Sequence, residues 1–265
     1  MKSLERAIGE LRPASSVSMT CSPAKSIETT LDESERLIAL GHTAVPHLSA
    51  RMVHTPEHLA SIHARLAELG IREIFVVGGD ADPPGCYFDA IEFLHAFLDF
   101  DDARGAEHRQ VDHIGFTSYP DTHPFITNEQ LHEALHVKQR LVLSTGRTAH
   151  VTTQMCFSPD QIERWLRRER SAGLTVPVHL GVAGVIDSTR LMTMGLRLGV
   201  GTSLRYLSKN RRAISKLVTK RTYRPDSLLR PLAASFDELG IEGVHLYTFN
   251  QVDATERWRS AFTTS

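Results

Sequence analysis

The residues able to do chemistry in this 265-residue chain recur at one kind of place, just after short apolar, β-branched runs. In order they are Thr20 with Cys21, His47, Asp80, Tyr119 with His123, Gln154, Gly181, and Thr248 with Asn250 and Gln251. Asp80 is the single acid among them. One carboxylate, amides, histidines and a phenol suit a small molecule with several hydrogen-bonding groups, and they lack the nucleophile–base–acid grouping of a hydrolase. Cys21, Cys86 and Cys156 show no spacing to a base and form no CxxC, so neither a thiol nucleophile nor a zinc ribbon is expected. No HExxH or comparable pair stands out among the 14 histidines, and no metal site is expected. Plainer readings stand beside these: Asp80 as a helix N-cap or turn residue, Tyr119-Pro120-Asp121 as a turn, Gln154 as a satisfied buried amide, and His47, after Pro46, as a structural strand histidine.

Positioning such residues takes strands that run the same way. The runs Val17–Cys21, Ala44–Leu48, Glu73–Val77, His113–Thr117, His150–Gln154, Val176–Val182 and Val244–Phe249 alternate with helical periodicity at Ile27–Leu40, His58–Leu69, Asp89–Leu98, Asn128–Gln139 and Pro159–Gly173. In the last helix, Ser158-Pro159-Asp160 is the start signal and Gly173 the stop. A mainly helical stretch then covers roughly Thr189–Glu238. This alternation predicts a parallel sheet with chemistry at the C-terminal strand ends. The expected fold is α/β, a single (β/α)8 TIM-barrel-like domain over residues 1–265, with residues 1–16 as an N-terminal helical extension. An open doubly wound sheet is the alternative, weakened because no GxGxxG follows the first strand.

With 41% hydrophobic and 23% charged residues, the chain reads as soluble and globular. Its 30 basic and 31 acidic residues lack the basic excess of a nucleic-acid partner. Residues 205–224 nevertheless carry Arg205, Lys209, Arg211, Arg212, Lys216, Lys220, Arg221 and Arg224 without an acid, as a solvated helix face or a phosphate site. Just before it, Leu198-Gly199-Val200-Gly201-Thr202-Ser203 reads either as an anion-binding loop or as a helix-to-helix turn. No segment approaches the roughly 18 apolar residues of a membrane span, and no signal-peptide core is seen. The three separated cysteines fit a cytoplasmic protein. A homo-oligomer is left open.

Val17-Ser18-Met19-Thr20, Pro46-His47-Leu48, Gly79-Asp80, Tyr119-Pro120 with His123-Pro124, Thr153-Gln154 and His245-Leu246-Tyr247-Thr248-Phe249-Asn250 occur in this order. Together they resemble the methylenetetrahydrofolate reductase family, and most closely a short, divergent branch of it that also carries segments like TCSP, GGDA, TQMCF, GVGTSLRYLSK and YTFNQV. The resemblance implies an eight-stranded α/β barrel, usually holding FAD, in which hydride passes from NAD(P)H to the flavin and then to 5,10-methylenetetrahydrofolate. It places Asp80 and Gln154 as the catalytic, pterin-holding pair, with Tyr119 and Gln251 also toward the folate substrate. Thr20, His47, Gly79, Tyr119 and His123 fall at flavin-contacting positions.

The departures point elsewhere. The family's first strand carries a glutamate that serves as general acid, and no counterpart is found. Val17–Cys21 matches the family's second strand, while Glu5 and Glu10 lie in a helical setting. Either the start is placed too late or the first strand is missing, which would leave two sheet edges. Gly78 stands where flavin-binding relatives have an arginine, and Cys21 replaces a tyrosine. Lys138, Gln139 and Arg140 only loosely match the phosphate-binding pattern. Direct transfer from NAD(P)H to the folate is therefore placed slightly ahead of an FAD route. The rival reading is a catalytically inactive folate-binding or regulatory barrel protein; a weaker third is a flavin-binding barrel acting on another substrate.

Overall fold

The computed structural model describes residues 7–22, 24–103, 105–197, 200 and 222–262. Its elements begin β1 (Ser16–Met19), α1 (Ile27–Ala39), β2 (Thr43–Ser49), α2 (Pro56–Glu68), β3 (Glu73–Val77), α3 (Ala90–Asp102), β4 (His113–Ser118), α4 (Asn128–Ser144), β5 (Thr148–Thr153), α5 (Pro159–Ser171) and β6 (Val178–Ala183). They continue with β7 (Ile186–Asp187), α6 (Ser188–Arg197), β8 (Thr222–Tyr223), α7 (Asp226–Leu232), α8 (Phe236–Leu239), β9 (Ile241–Tyr247) and α9 (Val252–Phe262).

Seven strands form one sheet in the order β1-β2-β3-β4-β5-β6-β9, and β7 pairs with β8 in a small antiparallel sheet. The registers of β1–β2, β2–β3, β3–β4, β5–β6 and β6–β9 are parallel. With helices between successive strands, this is the TIM-barrel-like α/β fold short of one strand. Among the described residues no eighth strand links β1 to β9. Of the described residues in the predicted N-terminal helical extension, 7–9 are helical, and β1 starts at Ser16. The last strand also ends early, at Tyr247, because Phe249 and Asn250 take φ of +49° and +61°, which an extended strand cannot hold.

The chain packs as two compact units, each built from separated stretches. One comprises Pro13–Thr117 and Ala134–His150; the other comprises Met1–Arg12, Ser118–Glu133 and Val151–Ser265. In the first, helix starts follow from local chemistry. Ser26 accepts from the Thr29 N–H at 3.3 Å ahead of α1, and Thr55 accepts from His58 with Pro56 at the first helical position of α2. Asp89 accepts from the N–H groups of Ile91 and Glu92 to open α3. Leu59, Ile62 and Leu66 of α2, and Phe93, Leu94, Phe97 and Leu98 of α3, recur at helical spacing and are buried. Burying each such side chain contributes about 1.5–3 kcal/mol. From Ala44 onward β2 is buried throughout, as a parallel strand covered on both faces must be.

A polar clasp is buried in the same unit. The Asp101 carboxylate accepts from Arg147 at 2.8 Å and from the N–H groups of Gln110 and Val111 at 2.7 and 3.1 Å, and it lies 2.7 Å from His63 Nε2. Arg147 also donates to both Asp102 oxygens and to the Val111 carbonyl. Burial alone would raise the Asp101 pKa. The hydrogen bonds from His63, Gln110, Arg147 and Val111 outweigh it and hold the carboxyl well below its usual range.

In the second unit, Ser158 caps α5 ahead of Pro159, as its start signal predicts. Arg170 of α5 donates to the carbonyls of Leu174, Val176, Leu239 and Gly240, joining the helix to the start of β9. Met155, Phe157, Ala183, Ile186, Leu191, Val200 and Tyr223 form a buried apolar cluster. Apart from Val200 and residues 222–224, the glycine-rich segment 198–203 and the basic stretch 205–224 lie outside the described residues.

Candidate active site

In the first unit, β1 and β3 flank β2, and the polar residues sit where they end. Thr20 follows β1 and is exposed. His47 lies deeper than expected, since β2 continues through Leu48 and Ser49. It is buried, lies 2.6 Å from Ser18 Oγ through Nε2, and stacks on Phe75 with ring centroids 4.6 Å apart. Gly79 and Asp80 follow β3, both exposed. Gly79 has φ +86°, and a Cβ there would stand 1.9 Å from Ser49 Oγ. That hydroxyl is buried without a hydrogen-bond partner. The backbone before Asp80 thus lies directly on the end of β2. Gly79→Ala is expected to destabilise the protein by at least about 1 kcal/mol, because it demands a left-handed alanine and displaces Ser49; thermal melting would check this, and an unchanged melting temperature would refute it.

Arg51 was not singled out by sequence reasoning. Its N–H donates to the Gly78 carbonyl, its Nε donates to the Ala81 carbonyl at 2.7 Å, and its own carbonyl accepts from Gly85. Its guanidinium lies 3.8 Å from Asp82 and over the Phe88 ring. Arg51 therefore ties down the loop that carries Asp80 and brings a cation to it. No spacing signals this, because the partners are mainly backbone atoms about 30 residues downstream.

In the second unit, Tyr119 follows β4 and meets His123 edge to face at 5.2 Å. Burial lowers the His123 pKa, favouring the neutral ring. Gln154 follows β5; its N–H donates to the Ser118 carbonyl at 2.7 Å, which places it beside the start of the Tyr119 loop. Its side-chain oxygen accepts from the Met155 N–H at 2.9 Å, so the amide is held in one orientation with its NH2 left to donate. Tyr247 donates to the Thr153 carbonyl at 3.1 Å, and burial, then Tyr119, raise its pKa so that the phenol remains a donor. A Cβ on Gly181 would collide with the same carbonyl and with the Tyr247 ring, so glycine is what lets these groups meet. His245, 5.0 Å from Tyr247, is pushed down to about 4 by burial and by His179. Gln251 is exposed and stands immediately before α9. The two left-handed residues ahead of it, one of them Phe249, are the kind of backbone strain that gathers at functional sites.

Asp80 and Gln154 thus belong to different units. Lys138 and Gln139 do not form a phosphate-binding surface: both are buried, and Lys138 Nζ donates to the Thr117 carbonyl at 2.9 Å against the Phe116 ring. Burial lowers that ammonium to about 8, with Asp89 opposing.

A family model described as methylenetetrahydrofolate reductase matches residues 4–259. The chain belongs to the methylenetetrahydrofolate reductase family. Among solved structures, a Burkholderia cenocepacia protein named as a phosphonomutase is similar at 13% identity and TM-score 0.48, covering 92% of this chain and 78% of that one. A GDP-L-fucose synthetase from Naegleria fowleri is similar at 10% identity and TM-score 0.25, covering 96% and 94%. Likenesses at this level carry no argument about fold or function.

Within this reductase family, the residues present fit a nicotinamide cofactor and a pterin in kind: exposed or half-exposed donors and acceptors at strand ends, and an unpartnered Ser49 hydroxyl beneath Gly79. The fit to FAD is poorer at one point. A Cβ on Gly78 would meet nothing closer than 4.0 Å, so the backbone leaves room for a side chain to start there, but Gly78 supplies no cation, and the nearby one, Arg51, is engaged with the loop. Of the acids ahead of β1, Glu5 lies outside the described residues, and Glu10 is exposed in a turn.

Proposed function

We propose that this protein is a reductase transferring a hydride from NAD(P)H to 5,10-methylenetetrahydrofolate, yielding 5-methyltetrahydrofolate for one-carbon and methionine metabolism. The observation that carries the reading is the family match over residues 4–259, with Asp80 and Gln154 each at the C-terminal end of a parallel strand. When bound, NAD(P)H supplies the hydride. Asp80, exposed on a loop anchored by Arg51, accepts hydrogen bonds from the amino-pyrimidinone edge of the pterin. Gln154 is assigned to folate binding as a donor, through an amide pre-oriented by Met155, so little rotamer freedom is lost on binding. Tyr119 and Gln251 complete the folate contacts. Thr20, Gly79, Tyr119 and His123 face the cofactor, with His47 supporting from within β2.

The glycine at position 78, where flavin-binding relatives carry an arginine, supports a flavin-free route over one that uses FAD. The test is NADH oxidation by dialysed protein with methylenetetrahydrofolate, with and without added FAD. Turnover without flavin is the expected result. Turnover only with FAD would restore the flavin route. The exposed, turn-borne Glu10 favours a second reading, a folate-binding protein without turnover, which folate binding with no reduction in either condition would support.

A further inference from the structure

The N-terminal ends of the strands, away from all of these residues, bring three other side chains together. Glu73 opens β3 and His113 opens β4, and the two are register partners, so their side chains share a face of the sheet. His150 of β5 reaches the same place: a Cβ on Gly115, two residues beyond His113, would stand 2.5 Å from the His150 ring. Gly115 therefore makes the room that His150 occupies. His113 Nε2 lies 2.6 Å from His150 Nδ1, and Glu73 Oε1 lies 4.0 and 3.9 Å from those two nitrogens.

We propose that Glu73, His113 and His150 form a binding site for a divalent transition-metal ion of the zinc class. Two imidazole nitrogens and one carboxylate oxygen are a borderline donor set suited to zinc, whereas magnesium and calcium take oxygen donors. Bonds of about 2.0–2.1 Å in a tetrahedron place ligand atoms roughly 3.3 Å apart. The three observed edges bracket that value, and each reaches it by a shift on the order of 0.7 Å.

The surroundings also offer the tautomer that a metal ligand needs. Thr148 Oγ1 lies 3.3 Å from the Asp112 carbonyl and 2.7 Å from His113 Nδ1; with its one proton given to that carbonyl, it accepts from Nδ1. Nδ1 of the neutral ring then carries the hydrogen, and the Nε2 lone pair faces His150 and Glu73. This is the outer partner that metal-bound histidines use. Without an ion, a proton on His150 Nδ1 bridges the two rings; on binding, the cation takes that place and the His150 ring carries its hydrogen on Nε2 instead, remaining a neutral ligand with no net loss of a proton. The length of β3 puts this cluster roughly 20 Å from Asp80. The ion would thus clasp three adjacent strands and take no part in hydride transfer. Short-range spacing could not reveal it, because each ligand comes from a different strand.

The full-length protein, stripped with chelator, would be titrated with Zn2+ by calorimetry and with Co2+ by visible absorption. One equivalent of Zn2+, a tetrahedral-type Co2+ spectrum and a melting temperature raised by Zn2+ are expected. Glu73→Gln, at a partly exposed position that tolerates the change, and His113→Gln are each expected to weaken Zn2+ binding at least 100-fold, and Thr148→Val about 10-fold. Wild-type protein that takes up no Zn2+ at micromolar concentration would overturn the proposal. So would binding that Glu73→Gln leaves unchanged, which would put the ion on other histidines.

Discussion

Asp80→Asn is expected to lower kcat/KM for methylenetetrahydrofolate reduction by about 10- to 100-fold while leaving the fold intact. Hydrogen bonds to a charged group are worth about 1.5–3 kcal/mol, and each 1.4 kcal/mol is a factor of ten. Asparagine keeps the size of the side chain but halves its accepting capacity and removes the charge. Because Asp80 is exposed, the same change should move stability by no more than about 0.5 kcal/mol. Steady-state kinetics separates two contributions. A rise in KM alone would mean that the carboxylate only holds the folate, whereas a fall in kcat would mean that it also stabilises the transition state. Near-normal kcat/KM would remove Asp80 from the mechanism.

Arg147→Ala is expected to have the largest effect on stability, about 3–5 kcal/mol, because it strands the fully buried Asp101 carboxylate beside Asp102. For a chain of this size that corresponds to a melting temperature lower by roughly 6–20 °C. The acid limb of the stability curve checks the same clasp. Asp101 is held below its usual pKa in the folded state, so its contribution is complete above about pH 5 and is lost as the pH falls below about 4 toward the folded-state value. Asp101→Asn should flatten that limb. A melting temperature for Arg147→Ala within a degree or two of wild type would show that the clasp relaxes without cost.

The alternation of strands and helices was legible because parallel strands covered on both faces read as apolar runs, and because Thr55-Pro56 and Ser158-Pro159 mark helix starts plainly. β7 and β8 were not legible, since two residues carry no period. β9 was misplaced because Phe249 extends its apolar run although the backbone has already turned left-handed. At the candidate site, the positions of Asp80, Tyr119 and Gln154 beyond their strands could be read from sequence. The depth of His47 could not, because a strand ending at Ser49 looks much like one ending at Leu48. Lys138 and Gln139 follow the same rule: the pattern shows a helix but not which of its polar residues turn inward. Arg51 works through backbone carbonyls, which no residue type announces.

Neither compact unit is one continuous stretch of chain, and this sets an order of events during synthesis. The unit containing Pro13–Thr117 lacks its final segment until His150 has left the ribosome. Until then Asp101 has no Arg147, and Glu73 and His113 have no His150. The segment 118–133 emerges midway but belongs to the unit whose β9 is made last. At about 5–20 residues per second, β4 therefore waits seconds, already translated, for β5 beside it in the sheet. In that interval the nascent chain depends most on whatever in the cell shields exposed apolar strands.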